Sequence, residues 1–208
     1  MARRRSSSEA ALVLATANRA KARELQALLR DVPYRVLNLT DVPSLALPAE
    51  GSTSYTENAL LKARAVAVAT GMLALADDSG IEVDALDGRP GVLSARYGGD
   101  GLSDENRWRL MLAELSGVPP QRRTARYRAV VALCDPAGRE ATTEGVVEGI
   151  ILEGPRGSGG FGYDPIFYYP PLQATFAEVT PDAKHAVSHR GQAMTGARRV
   201  LLEWTAGD

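Results

Sequence analysis

The 208-residue sequence contains a single cysteine, no long apolar run and almost no excess of charge. Cys134 has no partner for a disulfide within the chain, which indicates a reducing compartment, and we expect a cytoplasmic protein. No apolar run approaches the roughly 20 residues that span a bilayer, and the basic N-terminus lacks the apolar core of a secretory signal. The net charge of −1 gives no reason to expect nucleic acid or a membrane as a partner.

Lysine is scarce as well. Only Lys21, Lys62 and Lys184 are lysines among the 24 basic residues, and all the others are arginines. The lysine ammonium is a compact point charge, whereas the arginine guanidinium is a planar fork. Because the chain uses arginine almost everywhere else, we infer that these three positions need the compact point charge of lysine.

The pattern of apolar and capping residues predicts one α/β domain with a mixed sheet over residues 10–206, after a disordered tail over 1–9. A strand at 12–15 leads into a helix, and two further helices follow within 52–71 and 103–117. Asn18 is the predicted start of the first helix. The second helix starts at Ser54, with Glu57 at capping-box spacing, and ends at Gly71. The third starts at Ser103 or Asp104 and ends at Gly117. Period-two alternation over 125–152, with a DPAG turn at 135–138, predicts an antiparallel hairpin before a C-terminal helix.

Two early segments could meet phosphate or metal. Residues 16–21 open the first helix, where free backbone N–H groups and the helix dipole favour a phosphate, although Asn18 could simply cap the helix. Asp77 and Asp78 follow an apolar strand within the sequence DDSG, which we interpret as a turn before a second strand. Their carboxylates could hold Mg²⁺ or accept a proton from water. The alternative is an Asp-rich turn with positive φ at Gly80.

The glycine-rich and aromatic segment over 154–170 could hold a base. Its glycines would let the backbone approach a ligand while Phe161 presents a flat face. Asp164 could accept a hydrogen bond from a protonated ring nitrogen. No Gly-Lys-Ser/Thr follows the glycines, which excludes a P-loop, and the alternative is a flexible loop that leads into a strand.

The segment over 180–194 holds both histidines, His185 and His189, together with Lys184, Ser188 and Arg190. The histidine spacing suggests one helix face, but no glutamate accompanies them as in the helical zinc signature. A cationic cluster that meets anionic or keto oxygens is the functional interpretation. The alternative is a helix that turns its polar residues to solvent.

Taken in order and spacing, these segments resemble the family of inosine/xanthosine triphosphate pyrophosphatases (HAM1-like dITP/XTP pyrophosphatases), which remove non-canonical purine nucleotides. The resemblance covers about residues 12–204 and rests on LATANRAKARELQALL, SYTENALLKARA, ALADDSGIEVDALDGRPGVLSARYGG, GSGGFGYDPIF and SHRGQAM. It implies an α/β domain whose central mixed, twisted sheet is flanked by helices, with two lobes around an active-site cleft. It also implies a homodimer.

The resemblance implies hydrolysis of ITP, dITP and XTP to the monophosphate and pyrophosphate, with Mg²⁺ as cofactor. Asp78 is then the general base and a magnesium ligand, with Asp77 and Glu50 completing the metal site, and a cation between the two aspartates would explain why they adjoin. The substrate contacts it implies are Thr16, Ala17, Asn18, Arg19, Ala20 and Lys21 for phosphate, Ser79, the base loop Phe161, Gly162, Tyr163 and Asp164, a phosphate contact from Lys184, and the purine-edge residues His189 and Arg190. Ala17 stands where the family usually has glycine, so we expect a loop without positive φ there or a reshaped one.

Base selectivity would follow from hydrogen-bond polarity. Hypoxanthine and xanthine carry a keto oxygen at C6 and a proton on N1, which suit donors from His189 and Arg190 and an acceptor from Asp164, whereas adenine inverts both. Guanine shares the C6 keto oxygen, and the sequence does not show which residues would exclude its 2-amino group.

Three alternative functions differ in what they require of the sequence. A serine hydrolase with Ser79 or Ser188 as nucleophile would need a Gly-x-Ser-x-Gly elbow, which is absent. A nucleotide-binding regulator without turnover is disfavoured by the intact aspartates and lysines. A related pyrophosphatase for modified pyrimidine nucleotides would not need the purine-edge residues.

Overall fold

The computed structural model describes residues 10–42 and 45–206, so the predicted tail over 1–9 lies outside the described residues. The α-helices of this part are α1 (Arg19–Leu28), α2 (Tyr55–Thr70), α3 (Asp104–Glu114), α4 (Pro181–Val187) and α5 (His189–Ala206). The strands are β1 (Ala11–Leu14), β2 (Arg35–Asn38), β3 (Leu73–Val83), β4 (Thr124–Cys134), β5 (Glu140–Ile151), β6 (Phe167–Tyr169) and β7 (Ala174–Thr175). None of the described helices is both long enough and apolar enough to cross a membrane.

The sheet mixes parallel and antiparallel strands, as predicted, in the order β2-β1-β3-β4-β5-β6-β7. Strand β1 pairs in parallel with β2 and β3, and the later neighbours are antiparallel. The hairpin predicted over 125–152 is formed by β4 and β5, and the N–H of Gly138 donates to the carbonyl oxygen of Asp135 in its turn at 3.1 Å. The long strands β3, β4 and β5 therefore lie side by side in the middle of the sheet.

Alternation along β1 shows how helices cover both faces of the sheet. Leu12 and Leu14 pack in the cluster that contains the buried faces of α1 and α5, whereas Val13 packs in the cluster that contains the buried face of α2. A third, more aromatic cluster around Phe167 and Phe176 includes the buried side of α3. Since burying one such side chain contributes about 1.5–3 kcal/mol, this alternation fixes the sheet between its helices.

The predicted helix starts and the predicted end of α2 are confirmed, whereas α3 ends at Glu114 with Leu115 as its cap, so Gly117 lies beyond the helix end that was predicted there. Asn18 caps α1, and Ser54 caps α2 by accepting the backbone N–H three residues later at 3.1 Å. Gly71 ends α2 in the left-handed conformation that glycine adopts without strain. Of the two candidates for the start of α3, Ser103 is the cap and Asp104 is the first helical residue.

The predicted turn at 77–80 is wrong. These residues lie inside β3, which continues through them and pairs with β4 without interruption. Gly80 is not among the glycines with positive φ, and a Cβ at this position would overlap the carbonyl oxygen of Gly91. The glycine therefore permits a close backbone approach within a strand, which is a different use of the same turn-forming residue.

The histidine spacing in the last segment does not describe one helix. Helix α4 ends at Val187, Ser188 is extended, and α5 begins at His189. The Oγ of Ser188 accepts the N–H of Gly191 at 3.1 Å, which satisfies one free donor at the start of α5. His185 and His189 therefore belong to different helices.

Candidate active site

A cleft lies where β3, the start of α1, the loop over 161–164 and the junction of α4 and α5 meet. It encloses about 590 Å³, part of it open to solvent, which is within the usual range for pockets that bind small molecules. Residues from all four segments singled out in the sequence line it, among them Asn18, Lys21, Ser79, Phe161, Lys184 and His189. The structure therefore brings most of the predicted site residues together.

Asp77 is fully buried among cations. Its Oδ2 accepts from Nε and Nη2 of Arg190 at 3.1 and 3.0 Å, and Nζ of Lys21 lies 3.4 Å from Oδ1. Burial alone would raise the pKa of this carboxyl, but the charges of Lys21 and Arg190 outweigh burial and hold the pKa well below its usual range. Asp77 is therefore an ionised partner of two basic side chains inside the protein.

Asp78 lies on the opposite face of the strand from Asp77, because successive side chains of a strand alternate. Its Oδ2 accepts from Nδ2 of Asn58 at 2.9 Å, and Nζ of Lys62 lies 4.0 Å from Oδ1. Burial raises the pKa of Asp78, although the charges of Lys62 and Lys21 oppose this. A fixed carboxylate with a raised pKa is a stronger base than an ordinary carboxylate, which suits it to accepting a proton from water.

Glu50 and Asp78 face the same ammonium group. Nζ of Lys62 contacts Oε1 of Glu50, lies 4.0 Å from Oδ1 of Asp78 and donates to the carbonyl oxygen of Asp77 at 2.7 Å. Within residues 10–42 and 45–206, no three His, Cys, Asp or Glu side chains are grouped so that they could hold a metal. Mg²⁺ takes one or two carboxylates together with phosphate oxygens, so this pair of carboxylates fits it. The side chain of Asp77 is engaged by Arg190 on the other face, so the structure does not support a cation between Asp77 and Asp78.

The predicted phosphate loop divides between two cavities. Asn18 and Lys21 line the cleft, whereas Thr16, Ala17 and Arg19 line a neighbouring cavity. The N–H groups of residues 20 and 21 donate to Oδ1 of Asn18 at 2.9 and 3.1 Å, so the cap already occupies two donors that we expected to meet phosphate. Ala17 is not among the non-glycine residues with positive φ, as expected for an alanine in this loop. The side chain of Lys21 is thus the part of the loop best placed to meet a ligand.

The predicted base loop is held together by Asp164. Its Oδ2 accepts from the N–H of Phe161 at 2.9 Å and from Nζ of Lys184 at 2.5 Å, and its Oδ1 accepts from the hydroxyl of Tyr127 at 3.4 Å. Burial raises the pKa of Asp164, and the charge of Lys184 opposes this. The ammonium of Lys184 also lies 5.0 Å from the centroid of the Phe161 ring. The predicted base acceptor and the predicted phosphate contact are therefore partners of each other.

The two middle residues of the base loop tie it to the rest of the cleft. The N–H of Gly162 donates to Oδ2 of Asp104 at 2.7 Å, which joins the loop to the start of α3. The buried hydroxyl of Tyr163 donates to the carbonyl oxygen of Ser94 at 2.9 Å. Both contacts come from the backbone or from a buried group, so they position the loop.

Arg190 is almost fully engaged by the protein. Besides its bonds to Asp77, it donates to Oε2 of Glu24 through Nη1 at 2.5 Å and to Oγ of Ser79 through Nη2 at 2.8 Å. Its side chain is 2% exposed. The guanidinium predicted to meet the purine edge is therefore a link between α1, β3 and α5.

His189 is neutral and incompletely bonded. Its ring stacks on Tyr127 with 4.6 Å between the ring centroids, and its buried Nδ1 has no hydrogen-bond partner within the part of the chain that the structure describes. Burial, reinforced by the charges of Arg190 and Lys184, holds the pKa of His189 well below its ordinary value. The imidazole can consequently offer a hydrogen bond to a ligand in the cleft that it lines.

Sequence reasoning missed Glu24, Asn58 and Lys62 as site residues. Oε1 of Glu24 accepts from Lys184 at 2.8 Å, and burial would raise the pKa of Glu24, but the charges of Arg190 and Lys184 outweigh it and lower the pKa. The scarcity of lysine could have identified Lys62, because all three lysines reach this site. Glu24 had no such signal, since its lysine partner lies 160 residues away in the sequence.

Known sequences and structures match this chain over nearly its whole length. The model of the Ham1 family matches residues 12–200. The chain belongs to the Ham1 family. A dITP/XTP pyrophosphatase from Geobacter sulfurreducens is 50% identical over 183 residues, which are 88% of this chain and 92% of that protein. One from Thermus thermophilus is 50% identical over 192 residues, or 92% of this chain and 90% of that protein.

Solved structures of the Ham1 family support the fold. The HAM1 protein from Coxiella burnetii aligns with a TM-score of 0.82 at 43% identity, covering 93% of this chain and 99% of that one. The Ham1 protein from Staphylococcus aureus aligns with a TM-score of 0.81 at 36% identity, covering 92% and 98%. Membership in the Ham1 family confirms the resemblance seen in the sequence and the predicted α/β architecture.

Proposed function

We propose that this Ham1-family chain hydrolyses the non-canonical purine nucleoside triphosphates ITP, dITP and XTP to the monophosphate and pyrophosphate, which keeps deaminated purines out of DNA and RNA. The relatives named dITP/XTP pyrophosphatases, at 50% identity, support this function. The observation that carries it is the setting of Asp78. This carboxylate has a raised pKa and directly precedes Ser79 and Gly80, which line a cleft with cations suited to a triphosphate.

Asp78 is the proposed general base. It takes a proton from a water whose oxygen attacks the α-phosphorus, and the bond from this phosphorus to the bridging oxygen breaks to release pyrophosphate. Asn58 holds Oδ2, and the N–H of Ser79 donates to Oδ1 at 3.0 Å, so the carboxylate has a fixed orientation. A positioned base typically contributes about 10²- to 10⁴-fold to the rate.

We further propose Mg²⁺ as the cofactor, held by Asp78 and Glu50. When bound, Mg²⁺ would neutralise phosphate oxygens and stabilise the charge that develops on the leaving pyrophosphate. Lys62 already faces both carboxylates and supplies positive charge at the same place. Lys21 extends from α1 into the cleft, where it would contact phosphate while Asp77 holds its ammonium. Burial lowers the pKa of Lys21, and the charge of Asp77 counteracts this.

The base-recognition part of the proposal rests on the loop over 161–164 and its neighbours. A purine would stack on Phe161 beside the paired Asp164 and Lys184, which offer an acceptor and a donor close together. Neutral His189 adds a ring nitrogen, Nδ1, that no described residue bonds. Hypoxanthine and xanthine can satisfy these groups at N1 and C6, whereas adenine leaves them unpaired, a mismatch worth on the order of 10⁴-fold.

A homodimer in the cytoplasm completes the proposal. The proposed homodimer is supported by the family resemblance. Light scattering on the purified chain, whose mass is 22.2 kDa, should give twice this mass. A monomer at working concentration would contradict the dimer.

The activity is tested by incubating the protein with Mg²⁺ and each of ITP, dITP, XTP, GTP and ATP and identifying the released anion. We expect pyrophosphate from the first three and little from GTP or ATP, and removal of Mg²⁺ by a chelator should stop the release. Orthophosphate as the product, or equal turnover of ATP and ITP, would contradict the proposed function. Undiminished turnover with the chelator would contradict the role of the metal.

A further inference from the structure

Arg107 of α3 is a buried cation without a carboxylate partner among residues 10–42 and 45–206. It is 7% exposed, and the hydrogen bonds it makes to described residues run from Nη1 to the carbonyl oxygens of Tyr97 at 2.7 Å and Gly99 at 2.9 Å. Arg190, the other buried arginine of the cleft, is instead paired with two carboxylates. A buried charge is costly unless it is paired, and the described part of the chain supplies no counter-charge for Arg107. A ligand in the cleft could supply the missing acceptor.

Arg107 lies at the base-loop end of the cleft. It lines this cleft, and Tyr163 of the base loop is close to it. Burial raises the pKa of the Tyr163 phenol, and the charge of Arg107 is the main influence that opposes this. Asp104, one turn earlier on α3, accepts from Gly162 of the same loop and forms no ion pair with Arg107. The unpaired guanidinium therefore adjoins the groups that would surround the base.

We propose, on the basis of the function proposed above, that Arg107 recognises the C2 position of the purine. Its Nη2 and Nε groups, which no described residue accepts, donate to the C2 keto oxygen of xanthine. Hypoxanthine carries only hydrogen at C2 and gains nothing from this contact. Guanine places its 2-amino donor against another donor, which leaves buried N–H groups unpaired on both sides.

This arrangement supplies the discrimination that the C6 edge lacks. Guanine shares the C6 keto oxygen and the N1 proton of hypoxanthine and xanthine, so the groups near Asp164 and His189 cannot reject it. A donor at C2 separates the three bases, favouring xanthine, tolerating hypoxanthine and opposing guanine. Arg107 is thus a specificity-determining residue for the proposed reaction.

The test compares kcat/KM for XTP, ITP and GTP in the wild type and in Arg107→Met, which keeps an unbranched apolar stem and removes every donor. We expect kcat/KM for XTP to fall roughly 10- to 100-fold, as for loss of a hydrogen bond from a charged group, while kcat/KM for ITP changes less than about threefold. The ratio of GTP to ITP turnover should rise. Equal losses for XTP and ITP, as for a loop clamp or a phosphate contact, would overturn the proposal.

Arg123→Met is the matched control. Arg123 is also buried and also donates to backbone carbonyl oxygens, those of Leu115, Val118 and Leu152, but it does not line the cleft. Its replacement should lower stability without changing the ratio of XTP to ITP turnover. A ratio that moves as much as in Arg107→Met would overturn the assignment to Arg107.

A binding measurement on the wild type keeps the proposal testable if Arg107→Met does not fold. Calorimetric titration with the product monophosphates should give tighter binding of XMP than of IMP, and the weakest binding for GMP. GMP binding as tight as XMP would overturn the proposal. Absence of pyrophosphate release from ITP by the wild type would instead defeat the proposed function itself.

Discussion

The two faces of strand β3 treat neighbouring carboxylates in opposite ways. On the face covered by α1 and α5, Asp77 is neutralised by Lys21 and Arg190. Glu24 continues this line of alternating charges from Arg190 to Lys184. Each of these five charges has an oppositely charged partner within the protein, and the pKa of Asp77 is depressed accordingly.

The face covered by α2 leaves its carboxylate less fully paired. Asp78 accepts from the side-chain amide of Asn58 and the backbone N–H of Ser79, and the nearest lysine, 4.0 Å away, also contacts Glu50. Its pKa is raised, in contrast to that of Asp77. Neutralisation by the surrounding protein, and not position in the sequence, therefore separates a structural aspartate from one available for chemistry.

Asp77→Asn should have the largest effect on stability of the substitutions that test this difference between the faces. Arg190 and Lys21 would then be buried without their shared counter-charge, and we expect the free energy of unfolding to fall by about 3–5 kcal/mol. Urea unfolding at neutral pH measures this. Asp78→Asn is the matched control and should cost about 1 kcal/mol or less, since the fold already disfavours its ionised form. Equal losses in the two variants would contradict the difference between the faces.

Glu24→Gln should have the next largest effect. The variant removes the charge shared by Lys184 and Arg190, and we expect a loss of about 1.5–3 kcal/mol in unfolding free energy. The pKa of Glu24 is lowered in the folded chain, so its contribution is present above its ordinary pKa and lost as the pH falls. The difference between variant and wild type should therefore be full at about pH 7 and shrink only as the pH falls below about 4.5, so that it is clearly smaller at about pH 3.

Asp31→Asn provides the control for Glu24→Gln. Asp31 pairs with Arg198 at 3.3 Å on the surface, where such pairs contribute about 0–1 kcal/mol. Urea unfolding of both variants at the two pH values completes the comparison. A Glu24→Gln loss no larger than that of Asp31→Asn would show that the line of charges is not stabilising.

Acid should weaken the fold through His189, with the smallest effect of the three. Its folded pKa lies well below its ordinary value, so the unfolded chain binds a proton that the folded chain does not. Stability should therefore decline as the pH falls below about 6.5, by up to about 1.4 kcal/mol per pH unit. His189→Phe keeps a ring against Tyr127 and should flatten this dependence.

His185→Phe is the control for the acid effect. Burial also lowers the pKa of His185, but this histidine is only partly buried and should account for less of the slope. Urea unfolding at about pH 5.5 and about pH 7 measures both variants. An unchanged slope in His189→Phe would contradict the assignment.

Local signals in the sequence predicted the elements well, because their causes are local. Asn18, Ser54 and Ser103 each accept a backbone N–H two or three residues later, so the residue type alone indicates the helix start. The β4–β5 hairpin follows from alternation and a four-residue turn. The turn predicted at 77–80 was wrong because Gly80 is required by the close approach of the Gly91 backbone, which is distant in the sequence. No local pattern reveals such a contact.

The candidate site was predicted as a set of positions but not as a set of partners. Lys21, Lys184 and Arg190 do reach one cleft, as the motifs suggested. Their counter-charges come from Glu24 and Asp77 across the fold, and ion pairs between distant segments leave no periodic trace. For the same reason the sequence offered no means to tell the setting of Asp77 from that of Asp78.

Pyrophosphate release from ITP by Asp78→Asn, measured together with its unfolding free energy, tests the central claim most directly. We predict a fall in kcat of about 10²- to 10⁴-fold in a variant that unfolds within about 1 kcal/mol of the wild type. Activity within about tenfold of the wild type, or a loss of activity that merely tracks a loss of folded protein, would contradict the assignment of Asp78 as the base.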